Sequence, residues 1–243
     1  MTKCILSKYR KDGCASCDRL CAHNIALNGL DGNSGRIGNA GLPADYRGYT
    51  LDNSPAREGQ ARVYELLTAY VATFKRARQA DGERVKSLYL WSDSPGTGKT
   101  TTASALLNEW IAYDYLGALK DGKQPQQVPA IFFDANDFQT RYNLATMTDD
   151  DEAMARIGAE IKRVQAAPFV VFDDLGVRDV TQAYRAYLHA IINYRTTNAL
   201  PTVFTSNLPI EDMATVFDDR LYDRIRDQCA VIHFDGKSQR GRR

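Results

Sequence analysis

The chain has 243 residues, 44% of them hydrophobic and 25% charged, with a formal net charge of +1. This is the composition of an ordinary folded domain, and it excludes a disordered chain or a strongly basic one, so any DNA contact must come from local patches. No apolar run approaches the ~20 residues that span a bilayer, and the N-terminus lacks the apolar stretch of a secretory signal; the expectation is a cytoplasmic protein with no membrane partner.

Residues 1–40 read as a small Cys-rich segment and linker. Cys4, Cys14, Cys17 and Cys21 crowd its first half, with His23 just after. In a reducing compartment such a cluster points to metal before disulfides. The Cys14-x-x-Cys17 spacing suits tetrahedral zinc, held by four of Cys4, Cys14, Cys17, Cys21 and His23. An iron–sulfur cluster and uncoordinated thiols are the alternatives. Residues 24–55, rich in glycine and carrying Pro43 and Pro55, read as loops and turns.

From Ala56 to Arg78, the residues Val63, Leu66, Leu67, Tyr70, Val71 and Phe74 recur at helical spacing. Apolar strands at 85–91, 128–134, 169–172, 201–205 and 230–234 then alternate with helices at 100–115, 137–144, 151–164, 180–196 and 218–226. This order predicts an α/β fold, a parallel sheet covered by helices on both faces. Cys229 reads as a small core residue, and His189 and His233 as structural.

Three segments carry chemistry. Ser94-Pro95-Gly96-Thr97-Gly98-Lys99-Thr100-Thr101 follows a predicted strand and opens a predicted helix, the context of a phosphate-binding P-loop. Gly96 and Gly98 would let backbone N–H groups turn inward on phosphate, Lys99 would reach the β- and γ-phosphates, and Thr100 would meet Mg²⁺. The motif wants glycine at 93, where this chain has Asp93, whose carboxylate would have to point away from the phosphates. In Phe169–Gly176 (FVVFDDLG), Asp173 would hold Mg²⁺ and Asp174 would orient and polarise the attacking water. Asn207, after the strand Thr202–Ser206, would hydrogen-bond the γ-phosphate or the water.

These segments in this order resemble AAA+ ATPases. The finer resemblance is to the DnaC/DnaI helicase loaders and the related IstB transposition ATPases. It is carried by GLPADYRGYTLDN (41–53), SDSPGTGKT (92–100), FVVFDDLG (169–176), PTVFTSN (201–207) and DRLYDRIRDQCAVIHFDGKSQR (219–240). It implies an AAA+ ATPase domain over 41–243 without a lid domain, since nine residues follow Phe234. The R-x-x-x-R positions, Arg220 and Arg224, would supply an arginine to a neighbouring subunit's ATP, on a short helix expected near the ligand-bearing edge of the sheet. Arg240 of Ser238-Gln-Arg240 would be a second phosphate-sensing arginine. Asp174, where many AAA+ ATPases use Glu, implies slow hydrolysis, stimulated by DNA or a partner. The implied function is ATP-dependent loading of a replicative helicase onto single-stranded DNA by a homo-oligomer that forms when ATP is bound. A transposition helper of the IstB kind and a nucleotide-gated adaptor with little hydrolysis are the alternatives. A small-molecule P-loop kinase fits the tandem aspartates poorly.

Overall fold

The computed structural model describes residues 4–9, 20–79, 83–176, 181–216, 218–236 and 238. Strands β1 (Ser87–Trp91), β2 (Ala130–Asp134), β3 (Phe169–Asp173), β4 (Thr202–Ser206) and β5 (Cys229–His233) form one sheet of order β2-β3-β4-β1-β5. Every pairing is parallel. The helices are α1 (Ala22–Asn28), α2 (Gly35–Asn39), α3 (Ala61–Val71), α4 (Lys99–Lys120), α5 (Ala135–Met147), α6 (Asp151–Ala166), α7 (Gln182–Thr197), α8 (Met213–Val216) and α9 (Asp219–Gln228).

Strand alternation sorts the core into two layers. Leu88, Leu90, Phe132, Phe169, Val171 and Val203 face α3 and α4. Tyr89, Ile131, Phe133, Val170, Phe172 and Phe204 face the other way, against α5, α6, α7 and α9. Both faces are therefore buried over β1 to β4, which explains why those strands read as continuous apolar runs, while the edge strand β5 stays largely exposed.

Two sequence expectations change. The glycine-rich stretch holds short helices α1 and α2 instead of loops alone. Gly35 (φ +64°) serves close packing there: a Cβ at that position would lie 2.6 Å from the backbone of Leu27. The helix expected over 56–78 is α-helical only from Ala61 to Val71 and tightens to a 3₁₀-helix from Ala72 to Arg78.

The amino-terminal residues join the main core. Ile5, Leu6, Leu27 and Ile37 belong to the same cluster as Leu90 and Leu106, and the Phe132 N–H at the outer edge of β2 donates to the Ala40 carbonyl at 2.7 Å. A buried carboxylate on α4 fastens this region. Glu109, 1% exposed, accepts from Lys8 Nζ at 2.5 Å, from the Tyr9 hydroxyl at 2.9 Å and from the Leu51 N–H at 3.1 Å. A buried charge is tolerable only when its lone pairs are used in this way. On α7, the Arg195 guanidinium is buried and donates to the carbonyls of Val164, Ala167 and Pro201 and to the Thr202 hydroxyl. Burial lowers its pKa to about 9.

Candidate nucleotide site

Parallel strands bring their C-terminal ends to one edge, and in open α/β sheets that edge is where ligands bind. There β1 ends at Trp91 and α4 begins at Lys99. In the loop between, Gly96 and Gly98 have φ of 80° and 101°, a region glycine enters without strain. Gly98 is constrained a second way, because a Cβ would lie 2.5 Å from that of Ala56. A left-handed turn running into the N-terminus of a 22-residue helix is a backbone arrangement able to cradle phosphate.

Lys99 is buried in this loop. Its Nζ donates to Asn207 Oδ1 at 2.8 Å and to the Ser94 carbonyl at 3.3 Å. The first and third segments singled out from the sequence thus meet. Asp93 turns toward the end of β5, with Oδ2 3.9 Å from His233 Nε2.

Asp173, at the end of β3, is 5% exposed. It accepts from the Thr205 hydroxyl at 2.6 Å. Burial raises its pKa to about 7, against the effect of the bond from Thr205; repulsion from Asp174 adds to the rise, and a bond from Thr100 opposes it. A carboxyl whose native pKa is raised costs stability progressively as pH climbs from the unfolded value toward about 7, and a bound cation would offset that cost. A divalent cation fits this position, since it would favour the carboxylate and draw on the Thr100 hydroxyl.

Asp174 has φ of 56°, uncommon for a residue with a side chain. Its N–H donates to the Thr205 hydroxyl at 3.0 Å. The Leu175 N–H donates to the Thr205 carbonyl at 2.8 Å, and the Ser206 hydroxyl donates to the Leu175 carbonyl at 2.7 Å. Thr205 therefore sits between the two aspartates, donating to one and accepting from the other. Sequence reasoning passed over Thr205 and Ser206 in favour of Asn207. Two hydroxyls closing a buried apolar strand were the available signal.

Arg220 and Arg224 are exposed on α9. A helix that precedes a parallel strand delivers the chain to that strand's N-terminal end. Arg224 accordingly lies beside Thr197, at the C-terminal end of α7, with Nη1 to Oγ1 at 3.5 Å. For Arg224 the expected position near the ligand-bearing edge of its own sheet is corrected: it lies at the opposite end. Among the described residues neither arginine pairs with Asp219, Asp223 or Asp227; Arg226 takes Asp223 at 3.0 Å.

Cys14, Cys17 and Arg240 lie outside the described residues. Cys4 and Cys21 are half-buried, and His23 Nδ1 is 2.8 Å from the Tyr115 hydroxyl of α4. Among the described residues no group of three or more His, Cys, Asp or Glu side chains is arranged to hold a metal ion.

The family described as "IstB-like ATP binding protein" matches residues 83–243, more than half of the chain. The chain belongs to this family. Similar relatives include the phage-like element PBSX protein XkdC of Bacillus subtilis, 27% identical over 69% of this chain and 56% of that protein. They also include the replicative helicase loader DnaC of Escherichia coli K12, 22% identical over 70% of this chain and 59% of that protein. The chain thus spans little more than half the length of these relatives. Among solved structures, the DnaC helicase loader superposes with a TM-score of 0.57 at 23% identity, covering 79% of this chain and all of that one. DnaI gives 0.58 at 22% identity, covering 80% and 95%. AMPPCP-bound DnaA from Aquifex aeolicus gives 0.55 at 19% identity, covering 82% and 53%. At these identities the structural likeness establishes the AAA+ fold, and the family match brings ATP binding to the IstB-like domain. No helix is long and apolar enough to cross a membrane among the described residues.

Proposed function

We propose that this IstB-like chain is an ATP-dependent loader of a replicative helicase onto single-stranded DNA, hydrolysing ATP at junctions between its own copies. The backbone from Ser94 to Thr101 and the Lys99 ammonium hold the phosphates. Asp173 and Thr100 hold magnesium, which supplies charge neutralisation on the phosphates when bound. Asp174, fixed by Thr205, orients and polarises the attacking water, and Asn207 bonds the γ-phosphate or that water. Arg224, supported by Arg220, reaches the ATP of a neighbouring copy, and Arg240 senses phosphate.

The observation that carries the junction is the contrast between the two ends of the sheet. A phosphate-and-carboxylate set closes at one end, while Arg224 stands exposed at the other, beside Thr197 and away from its own set. The relatives named as helicase loaders favour the helicase as partner. Membership of the IstB-like family keeps the second reading of the sequence analysis, a transposition helper that would engage a transposase and duplex DNA. A pull-down with the helicase encoded alongside, with and without ATP, separates them. ATP-dependent capture of the helicase is expected. Capture of a transposase in its place would overturn the loader reading.

The Cys-rich segment, as part of the same proposal, binds one zinc through four of Cys4, Cys14, Cys17, Cys21 and His23. The contact of His23 Nδ1 with Tyr115 leaves Nε2 for the metal, a common arrangement for ligating histidines. Mass spectrometry of protein prepared without chelator should find about one zinc per chain by the ligand count of a closed site. Its absence would refute the site.

A further inference from the structure

Asp93 is the one position at which the phosphate loop departs from its motif, and the fold gives this carboxylate a defined neighbour. His233 lies directly opposite Trp91 in the β1–β5 register, and the Phe234 N–H donates to the Trp91 carbonyl at 2.8 Å. The imidazole lies along the indole, with ring centroids 4.2 Å apart and planes inclined by 33°. This stack directs Nδ1 to Asp235 Oδ1 at 3.0 Å and Nε2 toward Asp93 Oδ2 at 3.9 Å.

The end of β5 is itself tied to the phosphate loop. Gln60 Nε2 donates to the Asp235 carbonyl at 2.5 Å and reaches the Thr97 carbonyl at 3.5 Å. One amide therefore spans the two loops, and the approach of His233 to Asp93 is built into the fold.

We propose that His233 is a positioning residue for nucleotide binding. From β5 its Nε2 faces the Asp93 carboxylate and, when the imidazole is protonated, offsets its charge, so that a phosphate loop carrying an acid where the motif has glycine still accepts a triphosphate. The inference rests on the phosphate-loop reading. An exposed pair of this kind adds little to stability, so its effect is expected in affinity for an anionic ligand and not in melting temperature.

The test is a double-mutant cycle on the full chain, with ATP and magnesium titrated by calorimetry. His233→Leu should weaken ATP binding about tenfold, roughly 1.4 kcal/mol, and the loss should shrink at high salt as an exposed electrostatic effect must. Asp93→Gly should bind ATP somewhat more tightly than the unaltered chain. In the Asp93→Gly background, His233→Leu should change affinity by no more than about twofold, because the carboxylate on which His233 acts is gone; uncoupled effects would instead add and persist. Should His233→Leu fail to fold, His233→Gln serves the same cycle. Unchanged ATP affinity in the His233 variants, or a loss that persists undiminished with Asp93→Gly, overturns the inference and leaves the phosphate loop standing. Failure of the unaltered chain to bind ATP would remove the phosphate-loop reading and this inference together.

Discussion

Lys99→Ala is expected to remove tight ATP binding, with a loss of about 100-fold or more, since an ion-assisted hydrogen bond in a water-poor site contributes roughly 3 kcal/mol. Lys99 is 5% exposed, and its ammonium is already held by Asn207 and the Ser94 carbonyl. It is therefore fixed before nucleotide arrives, and little ordering remains to oppose binding. Alanine leaves the glycine turn and the helix N-terminus intact, so weak residual affinity for phosphate is the expected remainder. Asp174→Asn provides the contrast. Asp173 and Thr100 would still hold magnesium, so ATP should bind while turnover collapses. Equilibrium titration and single-turnover hydrolysis read the two effects separately. Normal affinity in Lys99→Ala would sink the phosphate-loop assignment, and normal turnover in Asp174→Asn would remove Asp174 from the chemistry.

Arg224→Ala is expected to leave ATP binding by an isolated chain nearly intact and to lower hydrolysis by about 10³-fold, the scale of an arginine that stabilises charge on a transferring phosphoryl group. ATP-dependent assembly should weaken as well. Arginine suits the task because its planar fork can engage two phosphate oxygens. Arg224 is at the end of the sheet away from its own phosphate loop, so only another copy's site is within its scope. Mixing Arg224→Ala with Lys99→Ala should then restore part of the activity, because one kind of junction regains an intact loop and an intact arginine. Normal hydrolysis and assembly in both Arg220→Ala and Arg224→Ala would refute the trans role.

The sheet was legible because all five strands are paired and most are sealed on both faces, so burial wrote itself into the sequence as apolar runs such as AIFFD and FVVFD. The phosphate loop was legible because its backbone needs glycine at fixed spacing. Short helices α1 and α2 were not, since a glycine that allows two backbones to touch looks the same in sequence as one that breaks a helix. Thr205 was missed because its role depends on β4 lying beside β3, a neighbour relation that local spacing does not encode. The position of Arg224 was misjudged for a related reason: in a parallel sheet the direction of the following strand decides which end the C-terminal half of a helix reaches. Nothing in the local sequence sets Glu109 apart from the other charges of α4, because the side chains that bond it, Lys8 and Tyr9, lie about a hundred positions away.

That last contact bears on how shortened forms of the protein should be interpreted. A chain begun after Tyr9 would lack two of the three groups that neutralise and bond Glu109. The carboxylate would be stranded in a dry interior next to Leu51, and the segment from Leu51 to Ala56 ends against Gly98. Weakened nucleotide binding in such a fragment would thus report a misplaced charge, not a part for the cysteines in handling ATP. Converting Glu109 to glutamine in the fragment would tell the two apart, because the neutral amide needs no cation to remain inside.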